Sequence, residues 1–133
     1  MLSGEELLLK AKEAMAGAYA PYSNFFVGAA LLSKDGSVYT GCNIENAAFG
    51  AGICAERTAL FKAVSEGHKD FVAIAIVGGR NGVIEDFCYP CGICRQALSE
   101  FVDISFKFYF TNDKGDIISM GLDDLLPHAF DEF

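Results

Sequence analysis

The sequence predicts an α/β fold: a single domain over residues 1–133, with a mixed β-sheet of about five strands and helices packed on both faces in three α/β/α layers. Segments with helical and strand patterns follow one another in the order α-β-β-α-β-α-β-β. The segment FVAIAIVG at 71–78 is continuously apolar, as expected of a central strand covered on both faces. With 133 residues, 52% of them hydrophobic, the chain can form one domain with a core and is too short for two.

The N-terminal part of the chain is predicted to form a helix and then a β-hairpin. Ser3 and Glu6 have the spacing of a capping box, in which each side chain binds a free backbone N–H at the start of a helix. Apolar residues at helical spacing follow and end before Pro21. Residues 26–32 and 38–44 are predicted as two strands, joined by a turn at the sequence KDG.

The rest of the chain reads as helices between short strands. Gly67 marks the end of a helix that begins near Cys54. Alternation in the segment SFKFYF places Phe106, Phe108 and Phe110 on one face of a strand. In chain order, the elements predicted after the hairpin are an irregular connection (45–53), a helix (54–66), the central strand (71–78), a helix (91–101), a strand (105–110), a last short strand (117–120) and a short helical end (122–127).

The charge of the chain disfavours polyanionic partners. Ten Lys and Arg against 18 Asp and Glu give a net charge of −8. Such a surface repels nucleic acid and anionic membranes at long range, so we expect neither as a partner and favour a neutral or cationic small molecule. Glu5 and Glu6 stand where a signal peptide would be basic. The five cysteines are an odd number, which argues against a disulfide framework, and we expect a cytoplasmic location.

Three cysteines occur at predicted helix starts. Cys54 opens one helix, and Cys91 and Cys94 open another, directly after Pro90. Helix N-termini carry partial positive charge and free N–H donors, which lower the pKa of a thiol and stabilise its thiolate. Three thiolates would hold a zinc ion and leave its fourth position open to water, as in catalytic zinc sites.

Other interpretations of these cysteines stay open at this point. A structural site with four cysteines would use Cys88 or Cys42 as its fourth ligand, and a Cys-x-x-Cys pair alone is also compatible with redox chemistry. Glu56 favours the catalytic site, because it follows Cys54 by two residues on the first turn of the same helix. A carboxylate next to zinc can act as a general base.

Five motifs in order give the chain a resemblance to a known family. The CAE and PCGIC segments match the zinc signature of nucleobase deaminases in its three-cysteine form. The whole set resembles the small, homotetrameric cytidine deaminases of the cytidine/deoxycytidylate deaminase superfamily. The motifs are PYSNFFVGAAL at 21–31, GCNIENA at 41–47, ICAERTA at 53–59, PCGICRQ at 90–96 and LLPHAF at 125–130.

The resemblance implies a role for each matching residue. It implies one Zn²⁺ per chain on the three cysteines, a proton-shuttle role for Glu56, and neighbouring donors that hydrogen-bond the ligand sulfurs. It also implies a nucleoside pocket completed by a neighbouring subunit. The implied zinc ligands are Cys54, Cys91 and Cys94; the sulfur donors are Arg57 and Gln96; the ribose is bound by Asn43 and Glu45; the base meets Phe25, the backbone N–H of Ala55, the carbonyl of Tyr89 and, from a neighbouring subunit, Phe130.

The implied activity is hydrolytic deamination of cytidine and deoxycytidine to uridine and deoxyuridine, with release of ammonia, in pyrimidine salvage. Hydroxide held by zinc would attack carbon 4 of the ring while Glu56 moves the protons. A blasticidin-type deaminase is the nearest alternative, and a non-catalytic zinc-stabilised domain is a second. The chain departs from the family pattern at Tyr89, where Ser or Thr is frequent, and at Phe49, where Tyr is frequent. Cys42 and Cys88 match no ligand position.

Overall fold

A mixed sheet of five strands forms the middle layer of the computed structural model, in which residues 1–132 are described. The strands are β1 (Phe25–Ser33), β2 (Val38–Cys42), β3 (Phe71–Arg80), β4 (Lys107–Thr111) and β5 (Ile117–Met120). They lie in the order β2-β1-β3-β4-β5. Strands β3 and β4 pair in parallel, and the other neighbours pair antiparallel. The predicted α/β class and the number of strands are confirmed.

Helices cover both faces of this sheet. Helix α1 packs on one face, and the other three helices pack on the opposite face. None of the described helices combines the length and the apolar character needed to cross a membrane. The helices are α1 (Gly4–Ala14), α2 (Ala55–Ser65), α3 (Gly92–Ser99) and α4 (Leu122–Leu125).

Side-chain alternation along the central strands produces the two apolar layers. In β1, Ala29 and Leu31 join the core under α2, while Ala30 and Leu32 join the core under α1. Strand β3 is divided in the same way and is buried along nearly its whole length, so the prediction of a central strand covered on both faces is confirmed. Gly28 permits the close approach of α1, because a Cβ there would lie 2.0 Å from the carbonyl oxygen of Ala11.

The three phenylalanines at alternating positions lie on one face, as predicted. Phe106, Phe108 and Phe110 are all fully buried in the core under α2 and α3. The Phe106 and Phe108 rings meet edge to face with 5.1 Å between their centroids, and the Phe108 and Phe110 rings are stacked with 6.4 Å between theirs. The Tyr89 ring lies 4.9 Å from the Phe110 ring, so this aromatic column connects the core to the loop before α3.

Most predicted helix and strand limits agree with the structure to within two residues. The capping box is present, since the Ser3 hydroxyl accepts from the Glu6 N–H at 3.1 Å and the Glu6 carboxylate accepts from the Ser3 N–H at 3.1 Å. Strand β2 ends at Cys42, two residues earlier than predicted. The regular pairing stops at Asn43, whose own N–H reaches the carbonyl of Val27 only at 3.4 Å. Its side-chain amide supplies the shorter contacts with β1: it accepts from the N–H of Val27 at 2.9 Å and donates to the carbonyl of Phe25 at 2.8 Å.

Candidate metal centre and active site

The N-termini of α2 and α3 meet at one edge of the sheet and bring the three predicted cysteines together. Cys54 is the N-cap residue of α2, Cys91 is the N-cap residue of α3, and Cys94 lies in the first turn of α3. The Sγ atoms of Cys54 and Cys91 are 3.7 Å apart, and those of Cys91 and Cys94 are 3.6 Å apart. All three sulfurs lie within 4.8 Å of one another. The chain therefore contains a cysteine cluster able to hold a metal ion.

The geometry of the cluster suits zinc. Zinc–sulfur bonds of about 2.3 Å in a tetrahedron require sulfurs about 3.8 Å apart. Both measured separations are close to that value. Among the described residues that can ligate a metal, Cys42 and Cys88 are not part of the group. Three protein ligands and an available fourth position are typical of a catalytic zinc site rather than a structural one.

The electrostatics of the cluster favour a thiolate at Cys54. The pKa of Cys54 is lowered to about 5, mainly by a hydrogen bond from the thiol of Cys94 and in part by Arg57. The Nη2 of Arg57 donates to the Sγ of Cys54 at 3.6 Å. The same Cys54–Cys94 hydrogen bond raises the pKa of Cys94, which is fully buried. A bound metal ion would displace the proton that Cys94 keeps, since thiols ligate as thiolates.

Glu56 lies in the first turn of α2 and is only 4% exposed. Burial raises the pKa of its carboxyl to about 7, and the negative charge of Cys54 also raises it. This turn lies directly against β2, because Gly41 has no side chain. A Cβ at Gly41 would lie 2.5 Å from the carbonyl oxygen of Ala55 and 2.6 Å from the nitrogen of Ala59. Close packing of α2 on β2 therefore holds Glu56 at the cluster.

A cavity of about 660 Å³ opens beside the cluster, large enough for a small molecule of nucleoside size. The cavity wall is mostly apolar, with a few polar groups at defined positions. It contains nine of the predicted site residues. These are Phe25, Asn43, Glu45, Cys54, Ala55, Glu56, Arg57, Tyr89 and Cys91. Cys88 and Phe49 also lie in the wall, and Phe49 is 92% exposed.

Two polar side chains of the cavity are oriented by backbone groups of neighbouring segments. Both hydrogen bonds of the Asn43 amide go to β1. The carboxylate of Glu45 accepts from the N–H groups of Tyr22 and Ser23 through Oε1, at 3.0 and 3.1 Å, and from the Ser23 hydroxyl through Oε2. These contacts lower the pKa of Glu45, the Ser23 side-chain bond most of all, so the carboxyl stays ionised.

Gln96 and Phe130 contact each other instead of the sulfur cluster. The side-chain amide of Gln96 donates to the carbonyl oxygen of Phe130 at 2.8 Å, and this contact gives no support to the expected donation to a ligand sulfur. The Phe130 side chain is 68% exposed and is not among the described residues that line the cavity of its own chain. Arg95 fixes α3 instead, because it donates to the carbonyls of Pro90 and Leu125, both at 2.7 Å.

Sequence reasoning missed three positioning groups. The hydroxyl of Thr58 donates to the carbonyls of Cys42 and Cys54, at 3.0 and 3.2 Å, and so connects the end of β2 to the start of α2. Tyr22 and Ser23 hold Glu45. The PYS motif was the available signal for the last two, but nothing in its local pattern indicates a partner more than twenty positions away.

Comparisons with known proteins identify the family of the chain. The family model of the cytidine and deoxycytidylate deaminase zinc-binding region matches residues 1–110. Cytidine deaminase of Sporosarcina psychrophila is 51% identical over 126 residues, which cover 95% of this chain and 90% of that protein. Cytidine deaminase of Halalkalibacterium halodurans is 52% identical over 124 residues, or 93% and 91% of the two chains.

Solved structures show the same fold. The crystal structure of cytidine deaminase from Burkholderia pseudomallei superposes with a TM-score of 0.88 at 46% identity, and the match covers 97% of this chain and 100% of that one. Cytidine deaminase from Mycobacterium tuberculosis gives a TM-score of 0.82 at 39% identity over 99% and 100% of the two chains.

The fold and the cysteine cluster define a zinc-binding hydrolytic deaminase. The chain belongs to the cytidine and deoxycytidylate deaminase family.

Proposed function

We propose that this enzyme deaminates cytidine and deoxycytidine to uridine and deoxyuridine, with one Zn²⁺ per chain on Cys54, Cys91 and Cys94. The observation that carries the proposal is the position of Glu56: a buried carboxyl beside a three-cysteine cluster, in the wall of a cavity of nucleoside size. A metal site that only stabilised the fold would have no use for a buried acid there. This role is the pyrimidine-salvage activity that the sequence resemblance implies.

The protein groups around the cavity suit the hydrolysis of an aromatic amine. When bound, zinc supplies a Lewis acid that lowers the pKa of water in the site. Glu56, whose pKa is raised to about 7, can accept one proton from water and deliver it to ring nitrogen 3. It can then accept the second proton of that water from the hydroxyl on ring carbon 4 and deliver it to the departing amine. Water adds at ring carbon 4, ammonia leaves, and the ring keeps a carbonyl, so one water is consumed for each ammonia released.

Backbone groups at the two helix starts orient the base in this proposal. Ala55 is the first residue of α2, where backbone N–H groups have no partner within the helix, and its N–H would donate to the cytosine carbonyl oxygen. The carbonyl of Tyr89 would accept from the amine, and Phe25 would contact the nucleoside from the side of the cavity. Arg57 would offset the negative charge of the thiolates through its hydrogen bond to Cys54.

The hydrogen-bonding capacity left on Asn43 and Glu45 supports a sugar-binding role. Three of the four acceptor positions of the Glu45 carboxylate are occupied, which leaves one. Asn43 keeps one N–H and one lone pair. One sugar hydroxyl can donate to Glu45 and accept from Asn43 at the same time. Because one hydroxyl is enough, we include both ribose and deoxyribose nucleosides.

We also propose that the chain forms a homotetramer with active sites at subunit interfaces. Large apolar side chains surround the cavity and are exposed in the single chain, and Phe130 is exposed and is not among the described residues that line the cavity of its own chain. A neighbouring subunit would cover these apolar side chains, and its own cavity would bind Phe130. The exposed apolar residues of the cavity wall are Tyr22, Ile44, Phe49 and Tyr89. The cytoplasmic location stays a prediction.

The proposal is tested by the absorbance change of cytidine and of deoxycytidine with purified enzyme, before and after zinc chelation. We expect turnover of both nucleosides, loss of turnover with the chelator, and recovery when zinc is added back. Metal analysis should give one zinc per chain. If the enzyme does not act on nucleosides but deaminates blasticidin S, the blasticidin-type alternative replaces this proposal. Zinc binding without turnover of any cytosine compound would favour the non-catalytic domain.

A further inference from the structure

The loop between α1 and β1 reaches the sugar-binding end of the cavity through Ser23. The hydroxyl of Ser23 donates to Oε2 of Glu45 and accepts from the N–H of Phe25 at 3.1 Å. Its own N–H donates to Oε1 of Glu45 at 3.1 Å. One serine therefore contacts both oxygens of the carboxylate and also connects it to the residue that begins β1.

The two kinds of contact restrain Glu45 in different ways. The N–H groups of Tyr22 and Ser23 both bind Oε1, which fixes the position of that oxygen but still permits rotation of the carboxylate plane about it. The Ser23 hydroxyl binds the second oxygen and stops this rotation. The lone pair of Glu45 that is still available to a ligand is then fixed in one orientation. A fixed charged acceptor binds a hydroxyl better than a rotating one, because less freedom is lost on binding.

Ser23 is itself held from the opposite side by the end of β3. Its carbonyl accepts from Nη1 of Arg80 at 3.3 Å, and the carbonyl of Asn24 accepts from the N–H of Asn81 at 2.8 Å. Asn24 and Asn81 both have positive φ, 57° and 59°, and their side chains are hydrogen-bonded to each other. Asparagine accepts this backbone conformation more readily than most residues. The position of Ser23 is thus set by the central sheet.

We propose that Ser23 is a positioning residue of the nucleoside site: its hydroxyl holds the Glu45 carboxylate in the orientation that receives a sugar hydroxyl. The inference rests on the proposed function, since it assigns the sugar to Glu45. Ser23 takes no part in the reaction at the base. Its effect is on the binding of substrates that carry the sugar hydroxyl. The lowered pKa of Glu45, whose largest cause is the Ser23 side chain, is a consequence of the same contact.

The test is steady-state kinetics of Ser23→Ala with cytidine and with 2′,3′-dideoxycytidine, which lacks both ring hydroxyls. For cytidine we expect KM to rise about tenfold, as for loss of a hydrogen bond to a charged group, with kcat within about twofold of wild type. For dideoxycytidine we expect kcat/KM to change by less than about twofold. Ser23→Thr keeps the hydroxyl and should restore most of the affinity for cytidine.

Ser105 provides a matched control. Its N–H and its hydroxyl also bind one carboxylate, that of Asp103, at 2.8 and 2.5 Å, but outside the residues that line the cavity. Ser105→Ala should leave KM and kcat unchanged for both substrates. An unchanged KM of Ser23→Ala for cytidine, or equal losses on both substrates, would overturn the inference. Failure of the wild-type enzyme with one zinc per chain to deaminate cytidine would instead overturn the proposed function, so the two failures are distinguishable.

Discussion

The guanidinium of Arg57 donates to the sulfur of Cys54 across 3.6 Å, one turn along the same helix. Three thiolates on one Zn²⁺ carry a net charge of −1, which would weaken the metal as a Lewis acid. A cation bonded to one of the sulfurs withdraws charge from the cluster and compensates for that effect. In the proposed function, the segment CAER would therefore supply a ligand, the acid–base group and the compensating charge within four consecutive residues.

Replacing Arg57 by Gln should weaken zinc binding by about 10- to 100-fold, the usual effect of removing a hydrogen-bond partner of a metal ligand. Competition with a chromophoric chelator measures this directly. Lys62→Gln is the matched control, because Lys62 is a cation on the same helix whose ammonium donates to the carbonyl of Thr40 rather than to a sulfur. Equal zinc affinity in the two variants would contradict the role assigned to Arg57.

Replacing Glu56 by Gln should abolish deamination while zinc stays bound. The amide has nearly the same shape as the carboxyl but cannot accept and return a proton. We expect a loss larger than the roughly 10²- to 10⁴-fold typical of one acid–base group, because in the proposed mechanism Glu56 would serve several proton transfers. The measurements are the absorbance change of cytidine and zinc content per chain. Turnover near the wild-type rate would show that another group moves the proton.

Local patterns were enough to predict the sheet and the cysteine cluster. The continuous apolar run of β3, the alternating phenylalanines of β4 and the two cysteine-capped helices each have a period or a capping signal within a few residues. The contacts of Glu45 with Ser23 and of Gln96 with Phe130 could not be predicted in this way. They join loops that are distant in sequence, and their partners are decided only by how the sheet brings those loops together.

Cys88 should be dispensable for zinc and resistant to thiol reagents. Burial raises the pKa of its thiol to about 12, with smaller effects of the nearby Glu56 and Cys54 charges, so it stays protonated near neutral pH. Cys88→Val should keep one zinc per chain, whereas Cys91→Ser should lose it. Loss of zinc from the valine variant would assign Cys88 to the ligand set. Mass spectrometry after mild alkylation should find Cys88 unmodified in the folded enzyme.

The raised pKa of Cys88 also predicts how stability depends on pH. An unfolded cysteine ionises near pH 9, whereas this folded thiol ionises near 12. As pH rises through that window, the unfolded chain loses a proton that the folded chain keeps, and the wild type loses stability. The Tm of the wild type should therefore fall more steeply than that of Cys88→Val between about pH 9 and 12. Parallel curves would show that Cys88 is less buried than the structure places it.

Gly41 should be essential for the position of α2. A Cβ there would lie 2.5 Å from the backbone of Ala55, so Gly41→Ala must displace the turn that carries Cys54 and Glu56. We expect a lower Tm and weaker zinc binding together, since one shift disturbs both. Gly36→Ala is the control that separates the two effects. Gly36 has φ of +94° and no atom within 4 Å of its Cβ position, so alanine there should lower the free energy of unfolding through backbone strain, away from the zinc site. The Gly36 variant should lose stability but keep its zinc affinity.

Phe130 should affect substrate binding without affecting the metal. If its exposed ring enters the site of a neighbouring subunit, Phe130→Ala should raise KM for cytidine and leave zinc content unchanged. Gln96→Ala should act in the same direction but more weakly, because the Gln96 amide holds the backbone of Phe130 at 2.8 Å. Native mass spectrometry of both variants checks that the assembly persists. An unchanged KM in an intact tetramer would show that Phe130 is not part of the substrate site. A purely monomeric wild type would show that no site is shared between subunits.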